Sequence, residues 1–144
     1  MMKLKSLQIT PNGKNGWGTK ELEFSDAVTQ LYGPNGTGKT PLIKSLAYCL
    51  GYPSIFRNDI YAKCRSAVLT ITQDNKVFKL ERVFSDTFDI VVHEPTNTKQ
   101  TFYNEQDYSK YLFELLNYDF PYLISIRNEA TRPYLSSLLP IFYV

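Results

Sequence analysis

The sequence predicts an α/β fold in which a strand, a phosphate-binding loop and a helix are joined to a run of consecutive antiparallel strands. Three observations predict it. Residues Gly33-Pro34-Asn35-Gly36-Thr37-Gly38-Lys39-Thr40 read G-x-x-x-x-G-K-T. Before them lies a Val-, Leu- and Tyr-containing stretch, 27–32, and behind them apolar residues recur at 42, 43, 46, 47 and 50. Residues 67–92 then read as strand after strand with short polar connections.

The motif predicts nucleotide binding for physical reasons. Its glycines let successive backbone N–H groups turn inward and form a nest for a phosphate. Lys39 has the reach for the β- and γ-phosphates, and the Thr40 hydroxyl is the Mg²⁺ ligand such a loop supplies. A helix starting at Thr40 would aim the positive end of its dipole at the same anion. ATP and Mg²⁺ are therefore the expected cofactors, with Gly33 to Thr40 as the binding residues and Thr40 as the metal ligand.

Ahead of that centre, Lys3 to Thr10 alternates polar and apolar as a half-exposed strand does. Residues 11–18 contain Asn-Gly twice and predict an exposed loop; Leu22 and Phe24 alternate with Glu21, Glu23 and Ser25 in a second short strand. A third strand, 27–32, runs into the loop. Behind the helix, Gly51 is placed for a C-terminal cap and Pro53 for a stop. Residues 54–63 read as a mixed connection. A hairpin follows, 67–72 and 77–84 around Asp74-Asn75, then a strand at 88–92 and a short edge strand at 100–103. Asn104 and Asp107 predict an N-cap for a helix whose stripe is Tyr108, Tyr111, Leu112, Leu115 and Leu116. Pro121, Pro133 and Pro140 punctuate an irregular last segment.

The bulk properties bound the rest. At 144 residues the chain is one domain long, and its net charge of +2 does not by itself argue for a nucleic-acid partner. Aromatics reach 15%, which predicts much half-buried surface, including a face to be covered by something else. Cys49 and Cys64 have neither metal-ligand spacing nor a nearby His, and read as buried free thiols. Nothing resembles a signal peptide or a membrane span, so the chain is expected to be cytoplasmic. The sole histidine, His93, reads as a surface or edge-strand residue, and no nucleophile–base arrangement or carboxylate pair suggests other chemistry.

Strand–turn–strand, then Gly-Pro-Asn-Gly-Thr-Gly-Lys-Thr, then a helix and an antiparallel meander: this order resembles the N-terminal half of an ABC-type ATPase head, in the branch that contains SMC, RecF, RecN and related DNA-repair or phage-defence ATPases. The resemblance implies a P-loop NTPase core with an antiparallel side sheet. It implies that Gly33 to Thr40 are the phosphate and Mg²⁺ ligands, that Asn12 and Gly13, with Lys14, lie in a loop approaching the nucleotide, and that Arg57 falls where these heads place an arginine near nucleotide and DNA. Pro41 departs from the family pattern, which often has Ser or Thr there. The closing run 131–144 resembles the approach to a glutamine-bearing loop. The Walker B, signature and switch residues used for hydrolysis are not visible after residue 40. The chain is thus expected to be a lobe incomplete without a second lobe or partner subunit, working as a homo- or heterodimer of heads on DNA, with ATP joining the heads and hydrolysis releasing them. As half of a head it is expected to expose an apolar face and to aggregate. Two other readings remain: a P-loop small-molecule kinase, with Arg57, Arg65 or Arg82 clamping a second phosphate, and a non-catalytic nucleotide-binding adaptor.

Overall fold

The computed structural model describes residues 2–26, 29–30, 33–34 and 39–116, together with the backbone of 123–124 and 130–131. The strand expected at 27–32 and the loop residues Asn35, Gly36, Thr37 and Gly38 fall wholly or largely outside the described residues.

Six strands form one antiparallel sheet: β1 (Lys3–Pro11), β2 (Leu22–Glu23), β3 (Cys64–Gln73), β4 (Lys76–Val83), β5 (Ile90–His93) and β6 (Lys99–Phe102), in the order β2-β1-β3-β4-β5-β6. Helices α1 (Lys39–Cys49), α2 (Asn58–Lys63) and α3 (Glu105–Leu115) complete it. The hairpin turn at Asp74-Asn75 has φ of 51° and 63°, the left-handed pair that a two-residue connection between twisted strands demands. Register places Leu7 opposite Leu69, Ile9 opposite Ala67, Leu69 opposite Leu80 and Leu80 opposite Val92. These side chains share one face and form the buried core.

The aromatic richness resolves into two clusters on that face. Tyr48 of α1 stacks on Phe84 (ring centroids 5.6 Å apart), and Phe56 meets both edge-on at 5.1 and 5.0 Å. Phe88, Phe102 and Tyr108 gather between the sheet and α3. The N-cap expected at Asn104 is present: its Oδ1 accepts from the Asp107 N–H at 2.9 Å. Gly51 takes φ of 97° behind α1, as a helix-ending glycine does.

Four features differ from the sequence expectation. The connection 54–63 contains α2, too short for a periodicity signal. Leu123–Ile124 (β7) pairs with Ala130–Thr131 (β8) in a small second ladder inside the segment read as irregular. His93 lies not on an edge strand but in β5, between β4 and β6, half-buried against Glu81 at 3.2 Å. Finally, the stripe of α1 does not face the sheet as a whole. Ser45, Ala47, Tyr48 and Cys49 are buried, whereas Ile43 is 44% exposed and Leu42 and Leu46 are only partly covered.

Candidate functional site

Helix α1 begins with the last two residues of the G-x-x-x-x-G-K-T motif, Lys39 and Thr40, and so carries the candidate site. Its second-turn Ser45 donates to the Pro41 carbonyl at 2.7 Å. Pro41 is tolerated because a first-turn N–H has no intrahelical partner. At the N-terminal end the Lys39 ammonium folds back and donates to the carbonyl oxygens of Gly33 and Pro34. A compact cation is thereby held over the backbone of its own loop. Gly33 and Pro34 are exposed, Thr40 is exposed in the first turn, and no carboxylate stands in that turn.

The other end of α1 is fixed from the sheet. Arg82 of β4, only 6% exposed, donates to the carbonyls of Tyr48 (2.8 Å) and Tyr52 (3.1 Å). Its guanidinium lies between the rings of Tyr48 (3.7 Å) and Phe88 (4.5 Å). Tyr108 of α3 donates to the Cys49 carbonyl at 2.6 Å. These groups satisfy carbonyls that the end of a helix leaves without intrahelical partners. Burial lowers the affinity of Arg82 for its proton, and the neighbouring Tyr48 works in the opposite direction. Burial also pushes the Cys49 thiol up to about 12, which suits an inert, packed cysteine.

Asn12 and Gly13 open the loop that follows β1. The Asn12 N–H and side-chain amide donate to the carbonyls of Lys63 (2.9 Å) and Ala62 (3.4 Å) at the end of α2, and Gly13 takes φ of 73° in open space. No described hydrogen bond joins either to Lys39 or Thr40. Arg57 is exposed and paired with Asp59 at 2.8 Å.

Sequence reasoning did not foresee a polar chain across the sheet face opposite the core. Thr10 meets Ser66 (2.7 Å), Ser66 donates to Glu81 (2.7 Å), and Glu81 meets His93 (3.2 Å). Only strand register brings these residues together. The carboxylate stands between the hydroxyl and the imidazole, and Ser66 is fully buried, so the set is not a nucleophile with its base. Among the described residues no cluster of His, Cys, Asp or Glu could hold a metal ion.

Residues 8–131 match the AAA domain family. This chain belongs to that family. The chain is also similar to the DNA replication and repair protein RecF of Chlorobium phaeobacteroides (strain BS1), 31% identical over 117 residues, which cover 76% of this chain and 29% of the relative. The chain thus spans less than a third of that relative's length. No solved structure matches it. The resemblance to the N-terminal lobe of SMC- and RecF-like ATPases, drawn from the motif and the order of elements, holds at the level of the family. Membership in this AAA family implies use of a nucleotide. No helix among the described residues is long and apolar enough to cross a membrane.

Proposed function

We propose that this chain is the ATP-binding lobe of an SMC- and RecF-like ATPase head, a P-loop core with an antiparallel side sheet. In this reading ATP-driven engagement of two heads is coupled to DNA-directed repair or anti-phage defence in the cytoplasm. The observation that carries it is the Lys39 ammonium bound to the carbonyls of Gly33 and Pro34 at the start of α1. The amine is held against the first two residues of the motif, and an incoming β- or γ-phosphate would replace the two carbonyls as its partner. Gly33 to Lys39 would hold the phosphates and Thr40 the Mg²⁺, which neutralises charge on the β- and γ-oxygens when bound.

A second lobe is part of the proposal. Beside α1 lies an open cleft of about 1130 Å³, lined by Leu4, Leu7, Leu22, Phe24, Leu42 and Leu46 among others. A helix with one apolar face on the sheet and another on an open cleft is built to be covered on both sides. Hydrolysis would draw its remaining groups from that second lobe or from a partner subunit. The kinase reading loses one of its clamps, because Arg82 is buried beneath α1 and occupied by helix carbonyls.

The test is a direct ATP·Mg²⁺ titration of the chain and of Lys39→Ala. Binding by the former and at least a tenfold loss in the latter are expected; equal affinities would overturn the proposal. The intact mass of the protein from its natural locus, set against the 16.6 kDa of this chain, separates a longer protein from a partner subunit as the source of the second lobe.

A further inference from the structure

The loop 12–18 is a built element. The N–H groups of Asn12 and Trp17 both donate to the Lys63 carbonyl, at 2.9 and 2.8 Å, and the Gly16 N–H closes on Gly13 at 3.3 Å. Gly16 is packed so closely that a Cβ there would meet the Asn12 nitrogen at 2.3 Å. Behind the loop, the Thr19 N–H and hydroxyl hold both polar groups of Ile9, at 2.8 and 3.0 Å.

This clamped loop presents Trp17 half to solvent, at 50% exposure, and Trp17 is the sole tryptophan of the chain. The charge around it is one-sided. Residues 12–20 and 62–66 contain Lys14, Lys20, Lys63 and Arg65 and no carboxylate before Glu21, in a protein whose whole chain has 16 basic and 14 acidic residues. The nearest acid along α2, Asp59, is already taken by Arg57. Arg65 shares its field with Glu81, so the three lysines are the cations left to the loop.

A rigidly mounted indole on a loop that carries Lys14 and Lys20 and is clamped to Lys63 fits a polyanion that carries exposed planar rings. We propose that the loop 12–20, with the end of α2, is a contact site for single-stranded DNA, one base stacking on Trp17 and the adjoining phosphates meeting Lys14, Lys20 and Lys63. A duplex keeps its base faces stacked inside and offers the indole nothing. The choice of DNA rests on the function proposed above; the placement on this loop does not.

Because Trp17 is the only indole, its emission reports the site directly. A single-stranded oligo-dT of twenty residues is expected to quench it, while a duplex of equal length leaves it unchanged. Labelled oligo-dT should bind Trp17→Ala and Lys14→Glu/Lys63→Glu roughly tenfold more weakly. The slope of log affinity against log salt should fall by about 0.7 for each phosphate contact removed. The loop is clamped through the carbonyl of Lys63 and not its side chain, so the charge reversals leave the fold intact, and unchanged melting curves verify this. Binding without quenching, equal quenching by duplex, or quenching by ATP·Mg²⁺ in place of DNA would overturn the site. A separate titration with a fluorescent ATP analogue keeps the two readings apart: retained ATP binding without DNA quenching removes this site alone, and lost ATP binding with DNA quenching removes the ATPase reading alone.

Discussion

Arg82 donates to the backbone carbonyl of Tyr48 at 2.8 Å while its guanidinium lies 3.7 Å from the centroid of the same residue's ring. One sheet residue thus holds the last turn of α1 twice, by a charge-assisted hydrogen bond and by a cation–π contact. The helix is therefore clamped to the sheet at its C-terminal end, and the phosphate-loop motif is mounted on the opposite end. A cation at a helix C-terminus also meets the negative end of the dipole.

Replacing Arg82 by Met keeps most of the stem and removes the donors. The Tyr48 and Tyr52 carbonyls lose their partner from the sheet. A loss of roughly 2–4 kcal/mol is expected by denaturant unfolding. Arg82→Lys should fall between, since one ammonium cannot reproduce a planar fork stacked between two rings. A cost below about 1 kcal/mol for Arg82→Met would show that the clamp contributes little.

Glu81 gives the sheet a pH dependence of known sign. Burial alone would raise its carboxyl, but hydrogen bonds from Ser66 and His93, with the charges of His93 and Arg65, outweigh that and lower it. A group whose folded value is depressed stabilises the fold above the ordinary carboxylate value of about 4.3, and that stability is lost as pH falls through the folded value. Glu81→Gln should therefore show a flatter acid limb of melting temperature against pH below about pH 4.5. Superimposable acid limbs for the two proteins would exclude Glu81 as the source.

What the sequence made legible follows from which signals are local. The Asn104 cap, the Asp74-Asn75 hairpin and the Gly51 stop are decided within four residues, and each stands where local chemistry puts it. The chain Thr10–Ser66–Glu81–His93 joins residues from four strands, and only register reveals it. Arg82 likewise reads as one more charged residue in an alternating strand until the topology lays α1 across it. Its position gives the reason it is buried: it alternates with Leu80 and Phe78 on the core face. The stripe at 42, 43, 46, 47 and 50 marked a real apolar face on α1, yet periodicity alone does not say what a face is packed against. The G-x-x-x-x-G-K-T motif was legible in the sequence, and four of its residues, Asn35 to Gly38, lie outside the described residues.

That divided helix makes the last prediction. Ala47 is 2% exposed, whereas Ile43, one turn earlier on the same side of α1, is 44% exposed beside the open cleft. Ala47→Asp would place an unpaired charge in the core and should destabilise the chain by more than about 3 kcal/mol. Ile43→Lys should change its stability by less than about 0.5 kcal/mol and reduce self-association measured by light scattering, because it breaks an apolar patch that nothing in the described chain covers. In the presence of a second lobe the order should change, and Ile43→Lys should then weaken assembly. A large loss of stability for Ile43→Lys in the chain by itself would mean that the chain closes its own cleft, and the need for a covering lobe would fall with it.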